Sequence, residues 1–197
     1  MRDAENIREV EALGIDMMGF IFYSKSSRYV SERPAYLPMK CKRVGVFVDE
    51  GIEKIKKIAD DYALNFIQLH GHESPEQISQ LSLLAPQLSI IKAFNIATKE
   101  DLEATAPYAG LVDYFLFDTK GPSVGGNGEK FDWRVLEAYN GDTPFLLSGG
   151  ISPDDAERVK AFHHSKCIGF DLNSKFEVLP ALKDINKLKE FIKKIRL

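Results

Sequence analysis

Cysteine is scarce in this chain of 197 residues: Cys41 and Cys167 are the only two, too few for a disulfide framework. Each stands at the start of an apolar run, "CKRVGVFV" and "CIGFDL", which reads as a pair of reduced thiols in a cytoplasmic protein. Long hydrophobic runs are missing too. Nothing approaches the ~18 apolar residues of a membrane span, and the N-terminus lacks the basic-then-apolar order of a signal peptide. Charge of one sign is also lacking, since 26 Lys and Arg against 29 Asp and Glu leave −3. That balance gives no reason to expect a nucleic-acid or membrane partner. The basic finish "KKIRL" suits a solvated last helical turn complementing the helix dipole. Neither a metal-ligand spacing nor a dinucleotide GxGxxG after a strand is found.

What is present is alternation. Apolar runs at 17–22, 43–48, 66–70, 90–94, 114–118, 145–149 and 167–172 are mostly continuous, as in parallel strands covered on both faces. Helical patterns lie near 4–13, 51–63, 74–85, 99–107, 132–139, 153–163 and 183–195. Ser74-Pro75-Glu76 and Ser152-Pro153-Asp154 place Ser at the N-cap, Pro at N1 and acid in the first turn. The segment "SERPAYLPMK" (31–40) carries two prolines, so any helix there is short and poorly formed. No linker divides the chain, and residues 1–197 read as one α/β domain with seven parallel strands. The order is odd at the start. Asp3 caps a helix that precedes the first strand, so the pattern equals a (β/α)₈ barrel minus strand one, or an open sheet that begins with a helix.

In either architecture the site lies at the C-terminal ends of the strands. "SGGIS" leaves its strand through Gly149 and Gly150 into a helix start, and "DLNS" ends the next strand. Together they read as a phosphate cradle, and "GG" alone as a plain turn. "GGNG" (Gly125, Gly126, Gly128) is a closing lid or a surface loop. Asp118 ends the apolar strand "YFLFD" and is a general acid or a turn-forming cap. Arg28 can offer a planar fork to a carboxylate or sit at the surface. His70, in "QLHG", can polarise a carbonyl or bond to the backbone. His163-His164, late in a helix, reads as surface, and Trp133 as core or lid support.

Taken in order, "GIDMMGFIFYSKSSRYV", "RVGVFVDE", "FIQLHGHESPE", "IIKAFN", "GGNGEKFDW", "LLSGGISPDDA" and "IGFDLNSKFE…KD" resemble the phosphoribosylanthranilate isomerase family over nearly the whole chain. The resemblance implies a (β/α)₈ TIM barrel and a cofactor-free Amadori rearrangement of N-(5-phosphoribosyl)anthranilate. An acid protonates the ring oxygen, a base removes the C2 proton, and the enolamine relaxes to the ketone. Asp118 matches the family's acid and Arg28 its carboxylate-binding arginine. Gly149, Gly150, Asn173 and Ser174 match its phosphate loops, with Asp171 beside them and His70 as a positioning group. Where the family often has a small residue, this chain has Lys175, a further phosphate contact or a surface residue. The family's base is a cysteine in a segment like "KVCG", just ahead of the position that Met1 matches. The expectation is therefore a barrel without its first strand, and a chain inactive or nearly so. Monomeric and dimeric states are both compatible with the family. Two other readings remain: a non-catalytic phosphosugar-binding relative, and another phosphate-binding barrel such as a pentose-phosphate epimerase or indole-glycerol-phosphate synthase. The latter needs metal ligands or a Lys/Glu set at the strand ends, which the sequence does not show.

Overall fold

The computed structural model describes residues 1–119 and 132–196. The lid glycines Gly125, Gly126 and Gly128 lie outside the described residues. Seven strands form one parallel sheet in chain order: β1 (Met17–Ile21), β2 (Lys42–Phe47), β3 (Phe66–Leu69), β4 (Ser89–Ile96), β5 (Tyr114–Thr119), β6 (Phe145–Ser148) and β7 (Cys167–Phe170). A short antiparallel hairpin follows, β8 (Glu177–Leu179) and β9 (Leu182–Lys183). The helices are α1 (Ala4–Ala12), α2 (Ile52–Tyr62), α3 (Pro75–Leu84), α4 (Ala156–Ala161) and α5 (Ile185–Ile195).

Local chemistry explains most boundaries. The Asp3 carboxylate accepts from the Asn6 N–H at 2.8 Å, and Gly14 leaves α1 at φ +71°. Ser74 and Gln77 form a capping box with Pro75 at the helix start. Three helical expectations come out differently. Residues Glu100–Tyr108 and Trp133–Ala138 are 3₁₀ helix, the former with Pro107 inside, where proline removes a donor. The third opens as a 3₁₀ turn, Pro153–Asp155, before the six residues of α4. Residues 31–40 hold no helix, as their two prolines predict.

The middle strands are covered on both faces, by different things, while β7 has no fully buried residue. Outward-facing Phe20, Phe47, Ile67, Phe115, Phe117 and Phe145 are buried against the helical layer. Inward-facing Val44, Ile91, Ala93 and Leu116 form a separate small cluster. Side chains from β1 through β7 line one cavity of about 480 Å³, which requires a strongly curled sheet. Among the described residues β1 and β7 do not pair with each other, so the curl leaves a seam. Behind it α1 packs on α5, and the cavity extends to Val10, Leu188 and Ile192. Gly19 O and Ile21 O on β1 accept from the Met1 nitrogen (2.8 Å) and Val30 N–H (2.9 Å).

Candidate active site at the strand ends

The curl brings five predicted residues to one cavity: Arg28, His70, Asp118, Asp171 and Asn173. Asp118 sits near the end of β5, in register with Asn95 of β4 and Ser148 of β6. His70 follows β3, its N–H donating to Phe47 O at 2.8 Å. Its Nδ1 lies 3.0 Å from the Gln68 amide nitrogen. With that amide donating, the proton sits on Nε2, which faces Asp118 Oδ2 at 3.7 Å. That separation is too long for a hydrogen bond and short enough for the two groups to serve one ligand. Both side chains are partly open to solvent, so a ligand in the cavity can reach them.

Arg28 does not wait free. Its guanidinium clasps Glu177, Nε at 3.0 and 2.9 Å and Nη2 at 2.6 Å. Lys183 Nζ lies 3.4 Å from Glu177 and donates to Asn173 O (3.1 Å) and Oδ1 (2.9 Å). Sequence reasoning missed Glu177, Lys183, Gln68 and Ser148. The signal for the first two was a hairpin in "FEVLPALKD", whose strands pair Glu177 with Lys183.

After β6, Gly149 and Gly150 adopt φ +93° and +67°, a region that costs a side chain dearly. Ser148 Oγ donates to Asp171 at 2.9 Å, and the Asp171 N–H donates to Leu147 O, which fixes that strand end against its neighbour. The Ser152 N–H is engaged by the Asp155 carboxylate at 2.8 Å, because the short turn closes its own capping box. Ser174 opens a 3₁₀ turn whose Phe176 is wholly buried, and neither Ser174 nor Lys175 lines the cavity; both are exposed.

Other candidates fall away from the cavity. His163 and His164 stand after α4 rather than within it. His164 is half-buried, taking the Lys166 N–H and reaching Tyr139 O at 3.1 Å, so it is a structural link and not a free surface group. Trp133 is core, with the Arg158 guanidinium 3.7 Å over its ring. Cys41 precedes β2 and is buried; burial, reinforced by the Glu11 carboxylate, pushes its thiol up to about 11. Cys167 is the first residue of β7, and burial raises its thiol as well. Both thiols thus start their strands, at the end away from Asp118. Among the described residues no three His, Cys, Asp or Glu converge to hold a metal. No described helix is long and apolar enough to cross a membrane.

Comparison with known proteins points the same way. The sequence model of N-(5'-phosphoribosyl)anthranilate (PRA) isomerase matches residues 1–194. An N-(5'-phosphoribosyl)anthranilate isomerase of Parabacteroides distasonis is 51% identical over 201 residues, covering 99% of this chain and 90% of that protein. The crystal structure of phosphoribosyl anthranilate isomerase from Thermotoga maritima superposes with a TM-score of 0.82 at 32% identity, covering 100% of this chain and 95% of that one. A phosphoribosyl anthranilate isomerase in complex with reduced 1-(o-carboxyphenylamino)-1-deoxyribulose 5-phosphate gives 0.78 at 29%, covering 100% and 98%.

Proposed function

The chain belongs to the N-(5'-phosphoribosyl)anthranilate isomerase family, and from that premise we propose how its residues divide the work. The reaction is the Amadori rearrangement of N-(5-phosphoribosyl)anthranilate to 1-(2-carboxyphenylamino)-1-deoxyribulose 5-phosphate. Asp118 hands a proton to the furanose ring oxygen. The C1–O bond breaks as the anilino nitrogen forms a Schiff base to C1. A base takes the C2 proton, its electron pair moves to form the enolamine, and ketonisation at C2 completes the transfer. No cofactor enters. His70, held by Gln68, sits beside Asp118 and positions the sugar. Arg28 receives the anthranilate carboxylate. Gly149, Gly150 and Asn173 hold the phosphate, with Asp171 bracing the strand end and Ser174 outside the cavity. The observation that carries the reading is the convergence of Arg28, His70 and Asp118 on one cavity at the strand ends.

The base is the weak member of the set. Cys41 and Cys167 stand at the starts of their strands, and at about 3.3 Å per residue the six residues of β2 put Cys41 roughly 20 Å, and the four of β7 put Cys167 roughly 13 Å, from the strand ends. We hold that residues 1–197 by themselves turn over about 10²–10⁴-fold more slowly than a version preceded by a strand ending in Cys-Gly. Within the same proposal, the chain works as one domain in the cytoplasm on a small phosphosugar, as monomer or homodimer, with no nucleic-acid or membrane partner.

The test is anthranilate fluorescence during turnover by both versions. Asp118→Asn is then placed in whichever is active, where kcat should fall about 10²–10⁴-fold with KM nearly unchanged. A kcat within about threefold of the parent would remove Asp118 from the acid's role. Equal rates from both versions would mean that another group serves as base.

A further inference from the structure

A guanidinium has two edges that can grip a carboxylate, the side-on pair Nε/Nη2 and the end-on pair Nη1/Nη2. In Arg28 the side-on edge is filled by Glu177. Among the described residues no bond is seen at Nη1, which leaves the end-on edge for a ligand in the cavity that Arg28 helps line. Glu177 is itself held from three directions: Arg28, the Ala181 N–H at 3.1 Å, and Lys183 Nζ. Lys183 does more than neutralise it. Three of its four acceptors belong to the other end of the site: Leu172 O, Asn173 O and Asn173 Oδ1. The side chains of Glu177 and Lys183 are only 5% and 11% exposed, so these contacts are shielded from water.

We propose that Glu177 is the positioning residue for Arg28, and that the β8–β9 hairpin, through Lys183, couples the carboxylate-binding end of the site to the phosphate end at Asn173. The inference rests on the reading of Arg28 given above. Its physical content is pre-organisation. A long arginine left alone samples many rotamers, and ordering it would be charged against substrate binding. Clasped side-on, it presents one fork in one plane. Arg28, Glu177 and Lys183 together carry one net positive charge, which suits an anionic ligand while keeping every buried charge paired. The short hairpin is explained as well. Antiparallel pairing sets Glu177 opposite Lys183, and Ala181 at φ +67° turns its N–H back onto the carboxylate. The Asn6 side chain bonds the Lys183 backbone at both N and O (2.7 and 2.9 Å), anchoring β9 to α1.

Binding, which needs no base, gives the test. Calorimetry would compare reduced 1-(2-carboxyphenylamino)-1-deoxyribulose 5-phosphate with the same molecule lacking its carboxyl group, on the full chain and on Glu177→Gln. The carboxylated ligand should bind about tenfold more weakly to the variant, and the carboxyl-free ligand within about twofold of the parent. Equal weakening of both ligands would make Glu177 merely structural and overturn the proposal. Tighter binding of the carboxylated ligand would overturn it too, since Glu177 would then be a competitor for Arg28. If Glu177→Gln does not fold, Glu177→Asp, which keeps the charge and withdraws it by one methylene, is read by the same criteria. Arg28→Lys separates the two levels. If Arg28→Lys does not selectively weaken the carboxylated ligand, the reading of Arg28 falls. If it does and the Glu177 variants do not, only the positioning inference falls. Absence of binding by either ligand to the parent chain would sink both.

Discussion

Glu177 ionises more readily in the folded protein than in the unfolded chain. Burial by itself would raise its carboxyl, but the Arg28 hydrogen bonds, the Lys183 charge and the Ala181 N–H outweigh it, and the net value falls below 4.5. A carboxyl depressed on folding contributes stability that is present above its unfolded value. That contribution is lost as pH falls through the folded value. Lys183 is also lowered, from 10.5, chiefly by burial, with the Glu177 and Asp171 charges opposing. Its protonated form is thus disfavoured by folding, and that cost is relieved only as pH rises toward 10.5. The Tm gap between the parent chain and Glu177→Gln should therefore be widest near neutral pH and shrink below about pH 4.5. Thermal melts from about pH 7 down to 3 measure it, and a gap constant across that range would contradict the assignment.

Between elements, the loops that carry His70 rest on a second buried charge pair. Lys92, which faces outward from β4, donates to Gly71 O (2.7 Å) and Glu73 (3.1 Å), both side chains being 5% exposed or less. Glu73 in turn accepts from the Asp49 and Gly71 N–H groups, tying the segment after β2 to the segment after β3. Removing one partner strands the other in a dry setting. Lys92→Met should destabilise by about 3–5 kcal/mol in urea unfolding, and adding Glu73→Gln should cost less than the sum of the two single changes. Close packing on the outer sheet face gives a further expectation. A Cβ on Gly45 would collide with Leu64 Cδ1 and meet Phe47 Cε2 at 2.8 Å. Gly45→Ala should lose about 1–3 kcal/mol on the same unfolding curve, and a neutral result would mean that Leu64 can move aside.

Over the whole molecule, the sheet has a middle and two rims. Among the described residues β2 to β6 each pair on both sides, whereas β1 and β7 pair with a strand on one side only. Strands held from both sides open with larger units, and rims open locally. Amide hydrogen exchange should be slowest in β3, β4 and β5 and fastest in β7 among the seven strands. β7 protected as strongly as β4 would show that something closes the seam. The cavity runs along that seam to α1 and α5, so ligand binding at the strand ends should slow exchange in β7 before it affects β4.

Much of this was legible beforehand. All seven strands lie within a residue or two of the apolar runs that announced them, because a strand buried on both faces needs an unbroken apolar stretch. The caps at Asp3 and Ser74 were read from single residues, since capping is local chemistry. Arg28, His70, Asp118, Asp171 and Asn173 could be listed as strand-end residues, and a parallel sheet places strand ends on one side. Less was visible where packing competes with propensity. The helices expected near 99–107 and 132–139 tightened to 3₁₀, and the helix start after Gly150 closed on its own Asp155. Lys175 and Ser174 are close in sequence to Asn173 and yet stand exposed outside the cavity lining, next to Phe176, which is drawn into the core.

The sequence by itself determined the parallel α/β alternation, the family and the set of residues from which a site could be made, since these depend on local pattern and on residue type. Only the tertiary structure decided which charge meets which. Arg28 and Glu177 are 149 residues apart in the chain, and no periodicity relates them. They meet because the sheet curls until β1 and β7 stand at one seam, and the hairpin after β7 turns back across it. A side chain's partner at that distance is set by the closure of the whole sheet, which no short stretch of sequence contains.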